Sequence, residues 1–147
     1  MTIPNSHIEF GNNMRVDLFS EIAKEKASEV YQAGLDQRGQ QQVKNKSTQL
    51  RRFYDELVLW SDKVNATGRM EPGRTSGDVR AERYRQSAPF IKMMCAKVAY
   101  ARGRNHVDVH FEELFSHCIK SVVDADTLRH AKLFMEAFMG FYKAQEK

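Results

Sequence analysis

Acid–base catalysis needs two carboxylates aimed at one point, and this sequence offers two adjacent pairs, Asp55–Glu56 and Glu112–Glu113. Neighbouring residues on a helix point in different directions, so neither pair forms a dyad. Cys95 and Cys118 fall on apolar helical faces, where a thiol stays protonated and inert. His106 and His110 are four residues apart and His117–Cys118 follows one to two turns later. However, His106 precedes the helix, Cys118 points to the core and His117 to its side. The paired Cys-x-x-Cys spacing of closed zinc sites is absent. We read these as surface histidines and expect no metal and no cofactor. The stretch GRMEPGRTSG is glycine-rich, but no strand precedes it and no Gly-Lys-Ser/Thr occurs, so it is not a phosphate loop.

Phosphate contact is the chemistry that remains. Fifteen Lys/Arg and only six Asp/Glu lie between Arg38 and Arg104, against eight and thirteen in the rest of the chain. A basic middle between acidic ends is the pattern of a nucleic-acid-binding face. Asn45, Gln49, Arg52 and Glu56 share one helical face, with Lys44 and Lys46 just before it. The helix N-terminus there adds unpaired N–H groups and partial positive charge, which favour a phosphate. Further on, Lys97 and Arg104 lie two turns apart on one face with Tyr100 between them, and Arg102 flanks Gly103. Such groups track a sugar–phosphate backbone and read no base. Taken singly, each arginine is read as solvated surface, and Phe53 and Tyr100 as core aromatics.

The elements that must position these groups are helical throughout. Leu18, Phe19, Ile22, Ala23, Ala27, Val30 and Tyr31 recur at three- and four-residue steps and predict a helix from Val16 to Ala33, stopped by Gly34. A polar, glutamine-rich loop follows to Asn45. Ser47 is placed as the N-cap of a second helix reaching Asn65, with the stripe Leu50, Phe53, Leu57, Trp60 and Val64. Ala66–Val79 reads as a mobile loop, and RAERYRQ as a charged helical piece. Pro89 is placed in the first turn of a new helix from Ser87, which Gly103 ends. A fourth helix over Val107–Val123 and a last one capped by Asp124 or Asp126 complete an all-α bundle of about five helices. The last carries Leu128, Ala131, Phe134, Met135, Phe138, Met139 and Tyr142, a stripe wide enough to be buried on two sides.

The 147 residues suit a single helical domain over 1–147, with a flexible N-terminus over 1–15 and the mobile loop over 66–79. No run approaches the about 20 apolar residues of a membrane span. MTIPNSHIEFGNN lacks the basic and apolar regions of a secretory signal, so reduced thiols and a cytoplasmic location are expected.

Three ordered segments carry a likeness. KNKSTQLRRF (Lys44–Phe53) resembles a family segment in which hydroxyl residues cap a helix that continues as apolar–arginine. IKMMCAKVAYARGR (Ile91–Arg104) resembles that family's helix ending in a tyrosine and then a glycine–arginine pair. FMEAFMGFYK (Phe134–Lys143) is similar to its aromatic-rich last helix. The family is the small subunit of type III-A CRISPR–Cas (Csm) effector complexes. The likeness covers about residues 44–145, leaves the N-terminal forty unmatched and treats Ala66–Val79 as an insertion.

The resemblance implies a non-catalytic, all-helical subunit of antiviral defence. Copies of it would stack along the guide-RNA filament, beside the backbone subunits and below the large polymerase-type subunit. It implies contact with guide RNA and target RNA and with the other subunits, and no membrane. Target cleavage in this family belongs to an acid on the backbone subunit. Carried over position by position, the RNA-binding residues are Lys46, Arg51 and Arg52 from the first segment and Lys97 and Arg104 from the second. Arg102 departs from the family's small residue before the glycine and is added as a further phosphate contact. The residues alone also admit a stand-alone helical nucleic-acid-binding regulator, though no helix pair with a short turn supports one. They equally admit a scaffolding protein whose basic face meets acidic partners.

Overall fold

The computed structural model describes residues 2–66, 73 and 75–146. Six α-helices occur among them: α1 (Ala23–Ala33), α2 (Ser47–Asn65), α3 (Ser76–Lys92), α4 (Met94–Gly103), α5 (Val109–Lys120) and α6 (Ala125–Gln145). The described residues contain no strand, only an isolated antiparallel bridge between Leu35 and Gln42. The fold is all-α, as the periodicity predicts.

The two-sided stripe of α6 explains its central position. Leu128, Ala131, Phe134, Met135, Phe138, Met139 and Tyr142 are all buried, and the helix packs against both α1 and α2. Its start is fixed by a capping box: the Asp124 carboxylate accepts from the Thr127 N–H at 2.7 Å, and Thr127 Oγ1 accepts from the Asp124 N–H at 3.0 Å. Asp124, not Asp126, is therefore the cap. On α5, Phe111, Leu114, Phe115, Cys118 and Ile119 are buried, and Asp108 caps the helix by accepting from the Phe111 N–H at 3.1 Å.

Several boundaries differ from expectation for local reasons. The predicted helix from Val16 begins instead with a widened π turn, Leu18–Ile22, before α1. Val16 stands in solvent, while Leu18 and Ile22 are buried. Lys46, not Ser47, holds the N-cap of α2, because Asn45 takes a left-handed φ of 57° and Lys46 is extended. Asn tolerates that conformation at low cost. The loop before it needs Gly34, where a Cβ would stand 2.3 Å from the Lys44 carbonyl oxygen. Helix α3 runs straight through Pro89 rather than restarting at Ser87. Arg85 and Pro89 are both exposed, so the carbonyl that loses its donor faces solvent. The break comes at Met93 instead.

Within the N-terminal stretch expected to be flexible, over 1–15, two residues pack inward. Ile8 and Phe10 are buried in the core, and the Phe10 ring lies 6.0 Å from that of Phe134. His117 Nε2 donates to the Ile8 carbonyl at 2.8 Å and His130 Nδ1 to the Phe10 carbonyl at 2.6 Å. A carbonyl only accepts, so each of those ring nitrogens carries its proton. Of the loop expected over 66–79, residues 67–72 and 74 lie outside the described residues. Ser76–Val79 already belong to α3, whose N-cap Thr75 forms a capping box with Asp78.

Candidate nucleic-acid interface

One polar cluster holds the start of α2 against the start of α5. Asn45 is buried, and its amide donates to the Val30 carbonyl at 2.9 Å and to Asp108 Oδ1 at 2.8 Å. Its side-chain oxygen accepts from the Asp108 N–H at 2.9 Å, and its own N–H donates to the His106 carbonyl at 3.0 Å. The Tyr142 hydroxyl donates to the Asn45 carbonyl. Burial pushes the Asp108 carboxyl up. The bonds from Asn45, His110 and the backbone N–H groups of Phe111 and His110 outweigh it and hold the group below its ordinary value of 3.8. Asn45 therefore does not join Gln49, Arg52 and Glu56 on an exposed face. It anchors the turn from which they project.

Helices α2 and α3 pack together, but α2 and α4 diverge beyond Met93 and leave an open cleft of about 560 Å³. Gln49, Arg52, Phe53 and Glu56 line one wall, Met93, Ala96, Lys97, Tyr100 and Ala101 the other, and His106 also borders it. Lys97 Nζ meets Glu56 Oε1 at 2.9 Å and Oε2 at 3.1 Å, so its charge is answered within the molecule. Glu56 also accepts from Trp60 Nε1 at 3.1 Å, and the Trp60 ring stacks on Phe90 at 5.8 Å. Arg104 donates to the Tyr100 hydroxyl at 3.3 Å with its guanidinium 5.9 Å from the ring centre.

The six residues expected to meet RNA thus divide. Arg52 and Lys97 line the cleft and Arg104 stands at its rim beside Tyr100. Arg102 turns away to Glu112 on α5 at 3.4 Å. Arg51 is exposed on α2, on the side of Tyr54, whose hydroxyl donates to Glu136 of α6 at 3.5 Å. Lys46 borders a separate depression with Tyr31, Gln42, Ser47, Tyr142 and Glu146. There the Ser47 hydroxyl bonds to the Glu146 carboxylate, which together with Lys143 holds that carboxyl below 4.5 despite partial burial. A carboxylate of the chain itself therefore sits at the helix N-terminus where a phosphate was expected, for the same electrostatic reason.

Two aromatic expectations separate as well. Phe53 is half-buried and packs on the core, tilted against Phe115 at 5.3 Å and Phe111 at 5.8 Å. Tyr100 is 67% exposed, the most exposed aromatic side chain among the described residues, and makes no aromatic–aromatic contact there. Sequence reasoning missed it, although Phe90, Met93, Lys97, Tyr100 and Arg104 recur at three- and four-residue steps opposite the buried Ile91, Met94, Val98 and Ala101.

The other chemistry-bearing residues are engaged separately. His110 Nδ1 lies 2.6 Å from Asp108 Oδ2, and His117 is bound to Ile8. No group of three or more His, Cys, Asp or Glu that could hold a metal occurs among the described residues. Cys118 is buried, which pushes its thiol far up, whereas Cys95 is half-buried rather than core.

A family model described as Csm2 Type III-A matches residues 17–147, so the likeness extends well before residue 44. Neither the curated proteins nor the solved structures give a match.

Proposed function

From the fact that this chain belongs to the Csm2 family of type III-A CRISPR effector complexes, as their small subunit, we propose a non-catalytic role in contact with RNA. The α2–α4 cleft meets the phosphate backbone of guide or target RNA, with Arg52 and Arg104 as the charges that reach it. The observation that supports this is their electrostatic state. Neither arginine has a carboxylate partner among the described residues, whereas Lys97 and Arg102 are each paired with an acid. A guanidinium without an internal counter-ion is the group most available to a phosphate. Lys46 and Arg51 lie off the cleft and serve a second contact with RNA or a neighbouring subunit. Sequence recognition belongs to base pairing by the guide. Copies stacked along the guide, working in the cytoplasm, complete the reading.

A scaffolding role is favoured by one observation: Leu59 of α2 and Phe90 of α3 are large apolar side chains that stand more than half exposed. Such a surface suits a neighbouring subunit.

The test is RNA binding by assembled complexes that carry Arg52→Ala or Arg104→Ala, at low and moderate salt. Each substitution should weaken binding and make the salt dependence shallower, by about 0.7 in log–log slope for every single-strand phosphate that the variant no longer neutralises. If both leave affinity and slope unchanged, the cleft is not where RNA binds.

A further inference from the structure

We infer that the α2–α4 cleft holds an unstacked nucleobase as well as a phosphate, with Tyr100 as the stacking platform. This rests on the RNA-binding reading above and specifies the ligand of the same cleft.

Tyr100 is the starting point. An aromatic ring with two-thirds of its surface in water forgoes the burial that holds Phe111, Phe115, Phe134 and Phe138 in the core. Its ring borders a cleft that also contains the apolar side chains of Phe53, Met93, Ala96 and Ala101. Arg104 lies at the hydroxyl end of the ring, and Arg52 borders the same cleft from α2. The Gln49 amide and the His106 imidazole also border it, and neither is engaged by another described side chain. A nucleotide has two parts that match these two kinds of wall, a π face and an anionic phosphate. Base–aromatic stacking is sequence-tolerant because every base has a π face, so it supplements guide pairing without competing with it.

Charge separates this occupant from a protein helix. An apolar helix seated in the cleft would leave Arg52 and Arg104 uncompensated at its edge, since Lys97 already takes Glu56. A nucleotide brings its own anion. The cleft volume of about 560 Å³ is in the range of small-molecule sites, which are mostly apolar with a few placed polar groups.

The experiment compares two probes on the assembled complex: an oligouridylate and an abasic phosphodiester of the same length. Each is measured against the wild type, Tyr100→Phe, Tyr100→Leu and the double variant Arg52→Ala/Arg104→Ala. Tyr100→Leu should lower oligouridylate affinity by about 5- to 150-fold, the range of one base–aromatic stack, and leave the abasic probe unchanged. Tyr100→Phe should retain wild-type binding of both. If Tyr100→Leu leaves oligouridylate binding intact, or weakens both probes equally, the nucleobase site is refuted. Loss of a neighbouring subunit from the Tyr100→Leu complex would also refute it, in favour of a protein in the cleft. The double variant tells the two readings apart. If it weakens both probes while Tyr100→Leu weakens neither, phosphate contact stands and only the nucleobase falls. If it weakens neither, the RNA reading itself has failed. The side chain's exposure makes folding of these variants straightforward, and far-ultraviolet circular dichroism checks it.

Discussion

At the residue scale, Asn45 does the most to hold the candidate interface in place. It combines full burial, a left-handed backbone and bonds to Val30, Asp108 and His106. Asn45→Ala removes the partner of the Asp108 N–H and one donor to its carboxylate. We expect it to destabilise the fold by about 2–4 kcal/mol in denaturant unfolding, since buried polar groups left unpaired are costly. Asp108 also gives a pH signature. Its carboxyl lies below its ordinary value in the folded state, so its contribution to stability is complete above that value. The contribution is lost as pH falls through the lowered folded value, because the unfolded chain then binds more protons. Asp108→Asn should lower the midpoint at neutral pH and flatten its decline below about pH 4. An unchanged acid limb would show that other carboxylates carry it. Little of this was legible beforehand, because Asn45 read as one more polar residue on a basic helix face. Its role depends on Asp108, which is distant in sequence and reached only through the fold.

At the scale of elements, the decisive feature is the divergence of α2 from α4. The sequence signalled both helices, since Leu50, Leu57 and Val64 on one and Met94, Val98 and Ala101 on the other are buried at helical spacing. It did not signal that Pro89 would be carried inside α3, or that the break would fall at Met93. Proline's rule concerns the carbonyl four residues back, and whether solvent reaches that carbonyl is a property of the packed molecule. The cleft brings Lys97 against Glu56, a pairing across 41 residues that no local pattern contains. This pair gives a prediction of opposite sign to the arginine substitutions. Glu56→Gln keeps an acceptor for Trp60 but frees Lys97. It should raise RNA affinity of the assembled complex by about 1.5- to 5-fold, the worth of one partly exposed ion pair. Reduced or unchanged affinity would place Lys97 outside the RNA path.

At the scale of the whole molecule, the bundle is organised around α6 and closed at one side by the N-terminal segment. The wide stripe of α6 made its central position legible. The N-terminal closure was not, because Ile8 and Phe10 are two apolar residues in a short polar stretch with no helical period to mark them. Only α5 and α6, whose His117 and His130 bond the Ile8 and Phe10 carbonyls, give the two residues their place. Phe10→Ala should cost about 3–5 kcal/mol, as expected for emptying a large buried aromatic site. A change below about 1 kcal/mol would mean that the segment is a loose cover rather than part of the core.

In the assembled complex, α2 and α4 should turn their shared cleft toward RNA. Photo-crosslinking of a 4-thiouridine-substituted target to the assembled effector complex, read by peptide mass spectrometry, tests it most directly. Crosslinks should map to residues 49–56 and 93–104 and disappear with excess unlabelled target. Crosslinks confined to α5, α6 or the first twenty residues, with none in those two segments, would contradict it.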